Sequence, residues 1–403
     1  MAEALYPRPL RSSIEESMNY NHPLKNGSTV TIRVMCAIVF VLFSFCWLYF
    51  FQADLLAVMQ HVLSNGQTTY HPLLATIVIT VLLMVIQQIV YVLVRLKKRF
   101  YALTYVPSML VLALLTDIYL PDTTQVCFQW SWWLPVILML VWLLVVVVAR
   151  IYQEVEENPS YSLLSRPMWT NMLLLALQMM FVAWMGNTNA VFHYRIKAEQ
   201  LLANGQYQKA LEVGKKSIES DADLLMLRMY ALARENAMGE RLFEYPVKGT
   251  SADILPTDGR NRLSLYPANS IYRFLGARPA TPMAPMHYLE LLLANKSSVN
   301  SKLSIANYYL CGLLIDRQLD RFAREVGKYY ALDDHLPKHY REALVLYTHS
   351  TSHPVVVYHH AVTEEDWRNL QELERQYPLE SERKGRVEEQ YRGTYWYYYE
   401  YEL

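Results

Sequence analysis

The sequence predicts an all-α protein in two parts: a bundle of about five transmembrane helices over residues 32–186, and a soluble helical domain over residues 187–403. Two observations predict this division. Before Asn187, apolar residues crowd into stretches without charge. Beyond it, they return at the spacing of amphipathic helices and are interrupted by Gly and Pro. Residues 1–31 precede the first apolar stretch and are predicted to be a cytoplasmic tail.

Five stretches approach the length that a helix needs to cross about 30 Å of hydrocarbon. None contains Asp, Glu, Lys or Arg. Because a charge at the centre of a bilayer costs about 2.5–3.5 kcal/mol on insertion scales, five such stretches indicate five spans. The first is too long, and lies too far along the chain, to be a signal peptide. The five run from about Val34 to Phe51, Leu73 to Val94, Tyr101 to Thr116, Trp132 to Ala149 and Met168 to Gly186.

The Lys and Arg residues between these stretches predict the orientation. They occur in the N-terminal tail, at residues 95–99, and in the loop with Arg150 and Arg166, whereas the loops after the first and third stretches hold none. By the positive-inside rule the N-terminus is cytoplasmic. After five crossings the C-terminal domain then lies outside the cytoplasm. Pro107 makes the third stretch the least regular; if it re-enters instead of crossing, the large domain is cytoplasmic.

Charge and polar composition exclude several classes of protein. The chain has 37 Lys and Arg against 37 Asp and Glu residues, and neither part has the basic excess of a nucleic-acid-binding protein. The four cysteines lack the spacing of zinc ligands, a redox pair or a disulfide framework. The spans hold no carboxylate, His or Arg of the kind that pumps and secondary transporters use. Their amides are predicted to hydrogen-bond between helices: Gln87, Gln88, Asn171 and Gln178.

The segment after the fifth stretch is predicted to form a pair of helices. Apolar residues return at helical spacing, Gly205 interrupts them, and Tyr207 begins a second run. The pattern of a small residue, a turn glycine, an aromatic residue and an alanine resembles the tetratricopeptide repeat, and falls on Ala198, Gly205, Tyr207 and Ala210. The resemblance implies antiparallel helices packed through the small residues, and hairpins that stack. It covers one repeat, and Gly214 replaces that family's bulky residue.

Weaker periodicity predicts more helices in the soluble part. A second hairpin is expected from Leu224 to Phe243 with Gly239 near its turn, and a third from about Val299 to Tyr330. A further helix is expected to start near Pro337. Residues 246–285, between the second and third hairpins, are rich in Pro, Gly, Asp and Ser, which disfavours long helices. That stretch is either an ordered crossover or a lid or partner surface.

Four histidines form the one constellation that resembles a metal site. Two histidines four residues apart on a helix can share a metal ion. Here Pro354 indicates that the helix has ended before the second of them, so surface or capping roles are favoured. The next helix is expected to begin at Thr363, with Asp366 in a capping-box-like start. The histidines are His349, His353, His359 and His360.

The last residues of the chain are unusually aromatic. Tyr395, Trp396, Tyr397 and Tyr398 would be poorly solvated on a free tail, so packing within the domain is favoured; the alternatives are lipid headgroups or an interaction with a partner. This ending, the helix from Pro337 to Tyr347 and the N-terminal spans resemble an uncharacterised family of Bacteroidetes membrane proteins. The resemblance implies an inner-membrane location and a periplasmic domain, and no activity.

Motifs of catalysis are missing from the sequence. It contains no hydrolase nucleophile elbow, phosphate-binding glycine loop, metalloprotease helix or dinucleotide fingerprint. We therefore assign no catalytic, cofactor-binding or metal-binding residue. The favoured interpretation is a non-catalytic scaffold that contacts the lipid bilayer and a protein partner, and no nucleic acid. The alternative is a membrane enzyme or transport accessory that acts on a lipid or cell-envelope precursor.

The predicted orientation is tested by labelling a single cysteine at Asn204 in a chain whose native cysteines are replaced. Because five crossings place this residue outside the cytoplasm, a membrane-impermeant thiol reagent is expected to label it in intact spheroplasts. Labelling only after lysis would reverse the orientation.

Overall fold

A computed structural model describes residues 24–96, 98–122, 125–154, 166–256, 263–276, 278–295 and 299–402. The chain divides into two compact units. The N-terminal unit consists of Met1–Ala57, Tyr70–Tyr119 and Cys127–Asn187. The C-terminal unit consists of Val58–Thr69, Leu120–Val126 and Thr188–Leu403. Most of the tail predicted over residues 1–31 lies outside the described residues.

The N-terminal unit is built from apolar helices, since a helix pairs its own backbone groups where water is absent. Five of them are long and apolar enough to cross a membrane, as predicted. We call them spans one to five: Val30–Phe51, Pro72–Val94, Arg99–Thr116, Trp133–Tyr152 and Arg166–Met185. The α-helices of this part of the chain are α1 (Leu24–Cys46), α2 (Ala53–Leu63), α3 (Pro72–Val94), α4 (Val106–Thr116), α5 (Trp133–Glu154) and α6 (Arg166–Met185).

Span three is irregular at its start. It begins as a 3-10 helix, Lys98–Tyr105, in which Phe100 has non-helical angles (φ −118°, ψ 23°). Its α-helical part, α4, covers only 11 residues and has Pro107 in its first turn. At about 1.5 Å per residue, α4 alone is about half as long as a hydrocarbon layer is thick. The 3-10 segment therefore contributes to any crossing. Span one also ends irregularly, in the π-helical turn Trp47–Phe51.

Two short strands, which the sequence analysis did not predict, follow span three. β1 (Ile118–Asp122) and β2 (Gln125–Phe128) form a two-stranded sheet. β1 contains Pro121, a residue that is confined to edge strands because it lacks an N–H group. In a sheet of two strands both are edges, so the proline is tolerated. The rest of the described secondary structure is helical.

The C-terminal unit is a set of short helices around one hydrophobic core. Its first four are α7 (Ala190–Ala203), α8 (Tyr207–Glu212), α9 (Ala222–Arg234) and α10 (Met238–Arg241), followed by a 3-10 turn (Leu242–Glu244). The next four are α11 (Ala268–Leu275), α12 (Pro285–Ala294), α13 (Val299–Ile315) and α14 (Leu319–Val326). The last four are α15 (Lys338–Ser350), α16 (Ala361–Gln376), α17 (Glu380–Tyr391) and α18 (Tyr395–Tyr401).

Three pairs of helices share one kind of turn. Between α7 and α8, α9 and α10, and α13 and α14, the chain passes through a residue in the left-handed conformation: Gly205 (φ 68°), Asn236 (φ 54°) and Arg317 (φ 56°). Glycine adopts this conformation freely, and asparagine tolerates it. The second pair thus turns at Asn236, three residues before Gly239, near which the sequence analysis expected the turn.

The core includes segments that the sequence left open. The described part of residues 246–285 contributes the buried side chains Val247, Ile254 and Ile271, so it forms an ordered crossover. The aromatic ending is also inside the core, where Trp396 is 2% exposed and its ring lies 5.3 Å from that of Trp367. Burial of these rings removes apolar surface from water and fixes α18 on the domain.

Gly239 has a role other than turning. It lies in α10, where a Cβ atom would be 2.8 Å from Cβ of Pro337 and 2.9 Å from Cζ of Tyr340. The missing side chain therefore allows α10 to approach the start of α15. A Cβ atom at Gly385, in α17, would meet no other atom within 4 Å, so that position is surrounded by open space.

These two helical glycines give a matched test. Gly239→Ala is expected to lower the free energy of unfolding by about 1–3 kcal/mol through overpacking. Gly385→Ala is expected to raise it by about 0.5–1 kcal/mol, because alanine favours helix. Thermal unfolding of the full chain in mild detergent measures both. Equal shifts of the same sign would contradict close packing at Gly239.

Candidate functional site

Two amide side chains of span five hold the start of span three. The side-chain oxygen of Asn171 accepts a hydrogen bond from the backbone N–H of Ala102 at 2.7 Å. Gln178 Nε2 donates to the carbonyl oxygen of the same residue at 3.0 Å. Asn171 and Gln178 both lie in span five, two turns apart on one helix. They satisfy both backbone groups of Ala102, within the irregular 3-10 segment.

The other two amides differ from each other. Gln87 is buried, and its Nε2 donates to the hydroxyl oxygens of Tyr101 (3.1 Å) and Thr104 (2.9 Å). Gln88 is exposed on the surface of the N-terminal unit. Three of the four amides thus hydrogen-bond between helices, in agreement with the structural role expected of them.

The four residues of the repeat-like pattern form the first hairpin. Ala198 and Ala210 are buried, where small side chains allow close packing. Gly205 occupies the turn, and no atom lies within 4 Å of its potential Cβ, so its left-handed conformation rather than lack of space requires glycine. Tyr207 packs edge-on against Tyr230, with 6.3 Å between ring centroids.

Glu199 attaches the crossover to this hairpin. Its buried Oε2 accepts hydrogen bonds from the backbone N–H groups of Ser264, Leu265 and Tyr266 at 2.8, 2.6 and 3.0 Å. Burial raises the pKa of Glu199 to about 7, although the N–H groups and Arg195 act to lower it. The carboxyl group therefore titrates near neutral pH in the place where it secures the crossover.

Arg228 secures the beginning of the crossover. Its buried guanidinium donates to the carbonyl oxygens of Val213 and Gly214 (3.3 Å each) and Pro246 (3.4 Å), and to the Ser220 hydroxyl (3.3 Å). Burial lowers the pKa of Arg228 to about 10, so the group stays charged at neutral pH. These bonds position Pro246, from which the chain continues along a cleft.

A buried histidine and glutamate hold the last helix. The N–H of Phe243 donates to His339 Nε2 (3.3 Å), so the ring proton lies on Nδ1, which donates to Glu342 Oε2 (2.8 Å). Glu342 Oε2 also accepts from the N–H of Tyr395 (2.7 Å), and its carbonyl oxygen accepts from Trp396 Nε1 (2.8 Å). His339 is 0% and Glu342 4% exposed. This pair stabilises α18 and is closed to a substrate.

The C-terminal unit contains a cleft of about 760 Å³ beside α18. Its lining comes from residues 246–250, residues 315–318, Ile218 and the helices α17 and α18. Arg317 supports this lining by donating to the carbonyl oxygens of Tyr398 (3.1 Å) and Glu402 at the end of α18. The volume lies in the range of about 300–1,000 Å³ that is usual for binding pockets.

The acidic and basic side chains of the cleft differ in their partners. Asp316 accepts from the N–H (2.9 Å) and the hydroxyl (2.5 Å) of Ser251. Glu388 forms an ion pair with Arg392 at 3.9 Å. Two further basic side chains are exposed and make no hydrogen bond or ion pair within the part of the chain that the structure describes: Lys248 and Lys384.

Comparison with protein families identifies one match. A family of unknown function, DUF6057, matches residues 19–280 and 285–402. The chain belongs to this family. Comparisons with curated proteins and with solved structures gave no match. DUF6057 is a family of unknown function, which agrees with the expectation that the chain belongs to an uncharacterised family, and membership supplies no activity.

The histidines of this DUF6057 chain that the sequence analysis considered as a metal site contact different neighbours. His349 stacks on Trp367 (6.5 Å between ring centroids), and His359 Nδ1 lies 2.7 Å from Glu364 Oε1. His360 is the N-cap of α16 and accepts from the N–H of Thr363 (3.2 Å). The predicted helix start at Thr363 is therefore wrong by two residues. Among the described residues, no group of three or more His, Cys, Asp or Glu side chains is arranged to hold a metal ion.

Sequence reasoning did not find the cleft. It singled out the aromatic residues Tyr395, Trp396, Tyr397 and Tyr398, which are 0–6% exposed and belong mainly to the core. Tyr397 and Tyr398 also line the cleft. The two free lysines carry no signal of their own, because they are far apart in sequence and isolated lysines are common on surfaces.

The raised pKa of Glu199 predicts a pH dependence of stability. Because its folded-state pKa (about 7) exceeds its ordinary value of 4.5, its contribution is full below about pH 4.5 and falls as the pH rises through 7. Between about pH 5 and pH 8, the wild type is expected to lose on the order of 1–3 kcal/mol relative to Glu199→Gln.

Thermal unfolding of the full chain over this pH range measures the difference. Glutamine retains an acceptor oxygen for the three N–H groups but does not titrate. Glu235→Gln, at an exposed position, is the control and should parallel the wild type. Parallel curves for the wild type and Glu199→Gln would show that the buried carboxyl group does not titrate in this range.

Proposed function

We propose that this protein is a non-catalytic scaffold, anchored in the membrane, whose C-terminal unit binds a protein partner in the cleft beside α18. The observation that carries the proposal is an open cleft with tyrosine rings and, among the described residues, unpaired lysines. By contrast, the buried charged groups Glu199, Arg228, His339 and Glu342 hold the domain together. The polar groups of this unit that another molecule can reach are therefore suited to binding.

The proposed location is the inner membrane of a cell envelope such as that of Bacteroidetes, with a cytoplasmic N-terminus and a periplasmic C-terminal unit. The alternation of basic and non-basic loops supports this orientation. Segments of both non-basic loops, Val58–Thr69 and Leu120–Val126, belong to the same compact unit as Thr188–Leu403. This grouping is expected if five spans place all three segments on one side.

The proposal includes a tetratricopeptide-like relation for the helix pairs. The first pair has the small residues and turn glycine of that pattern, and two more pairs have a left-handed turn residue. Their second helices are shorter than usual, since α10 contains 4 residues and α8 contains 6. Such pairs would provide a rigid frame on which the cleft is held for a partner.

One observation favours the alternative of a membrane enzyme or transport accessory. Ser44, Thr76 and Thr80 are buried in the N-terminal unit, and their hydroxyl oxygens have no hydrogen-bond partner among the residues that the structure describes. Unpaired buried hydroxyl groups of this kind can contact a polar molecule within a bundle. In that case a lipid or envelope precursor would bind between the spans, and the cleft would be incidental.

Site-specific photo-crosslinking in cells separates these proposals. Benzoylphenylalanine at Ile218 or Gln318, both on the cleft, should crosslink a protein; the same group at Gln208, exposed outside the cleft, is the control. A discrete protein adduct at the two cleft positions is expected. Equal adducts at all three positions, or none at Ile218 and Gln318, would contradict partner binding in the cleft.

A further inference from the structure

The acidic side chains of the cleft have partners within the protein, whereas two of its basic side chains do not have a direct one among the described residues. Lys248, after the 3-10 turn, and Lys384, in α17, come from different elements but line the same cleft. Both ammonium groups are exposed and lack a direct partner among the described residues. Asp316 and Glu388, in contrast, are engaged by Ser251 and Arg392. The charged groups of the cleft that remain available for ionic contacts are therefore cationic.

The remaining carboxyl group of the cleft, that of Glu402, offsets this charge in part, because Lys248 lies close enough to interact with it. Glu402 is partly buried, and burial raises its pKa, although Arg392, Arg317 and Lys248 lower it. The lining thus holds four basic residues against three acidic ones. Arg317 and Arg392 are engaged within the protein, which leaves Lys248 and Lys384 as the basic residues without a hydrogen bond or ion pair among the described residues. A ligand with several carboxylates would find partners here that the protein itself does not supply.

Resting on the proposed function, we propose that the cleft binds an extended acidic segment of another polypeptide. Lys248 and Lys384 would contact the Asp or Glu carboxylates of this segment. Its backbone and the aliphatic parts of its side chains would pack against Tyr397, Tyr401 and Ile218. Lysine suits this role because its ammonium group is a flexible point charge with three donors. The volume of about 760 Å³ accommodates a short segment rather than a folded domain.

A polypeptide fits these residues better than a phosphate-rich polymer or a lipid surface does. Asp316, Glu388 and Glu402 would repel a dense array of phosphates, whereas acidic side chains on a peptide can be spaced to avoid them. A cleft that is partly lined by carboxylates also differs from the uniformly basic surfaces that bind anionic membranes.

The inference is tested by binding a fluorescein-labelled peptide, in which Glu alternates with Ser and Ala, to the full chain in neutral detergent. Fluorescence anisotropy should show saturable binding that weakens as salt increases. Lys248→Glu combined with Lys384→Glu should raise the Kd by about tenfold or more, because repulsion replaces attraction at two contacts. The milder Lys248→Gln with Lys384→Gln should give a smaller loss. Lys209→Glu, an exposed charge reversal outside the cleft, is the control.

Three results would overturn the inference. They are unchanged binding in the double charge reversal, equal binding of a peptide with Gln in place of Glu, and displacement of the peptide by phosphatidylglycerol vesicles but not by unlabelled acidic peptide. Failure here is distinct from failure of the proposed function. If the protein adduct at Gln318 persists in the double variant while the acidic peptide does not bind, partner binding stands and the acidic ligand is wrong.

Discussion

Backbone N–H and C=O groups inside a bilayer have no water to bind, and the five helices of the N-terminal unit that are long and apolar enough to cross a membrane are subject to this constraint. Regular helices meet it by themselves. The 3-10 start of span three does not, so span five contributes Asn171 and Gln178, which satisfy both backbone groups of Ala102. Asn171 is engaged through both of its side-chain groups, because its Nδ2 also donates to the carbonyl oxygen of Pro167 (2.7 Å), whereas Gln178 Oε1 has no partner among the described residues. The polar residues that would most suggest a substrate path between the helices thus stabilise the irregular start of span three.

Buried polar side chains have the same structural role in the C-terminal unit. Glu199 and Arg228 bind backbone groups of the crossover and of the turn after α8, while Glu342 and His339 hold α18. These buried charges would attract attention as possible catalytic groups, yet each is occupied by the fold. Two exposed lysines that make no hydrogen bond or ion pair among the described residues, Lys248 and Lys384, lie in the cleft, and the proposed binding role rests on them.

Much of the fold could be predicted because its causes are local. The absence of charge marks the five spans, and Gly205 marks the first hairpin. The second and third hairpins were predicted too, but their turn residues, Asn236 and Arg317, were not identified, because residues other than glycine rarely adopt a left-handed conformation. The contact of Glu199 with residues 264–266 and the lining of the cleft join distant parts of the chain. No spacing in a single sequence reveals such contacts.

The most direct test of this account compares Asn171→Leu with Gln88→Leu in the full chain. Asn171 pairs a buried backbone N–H group, whereas Gln88 is an exposed amide on another span. We expect Asn171→Leu to lower the free energy of unfolding in detergent by on the order of 1–3 kcal/mol, and Gln88→Leu to leave it unchanged. Folded Asn171→Leu protein should retain its crosslink in the cleft. An Asn171→Leu protein that is as stable as the wild type, but has lost its cellular function, would contradict the structural role of these amide side chains.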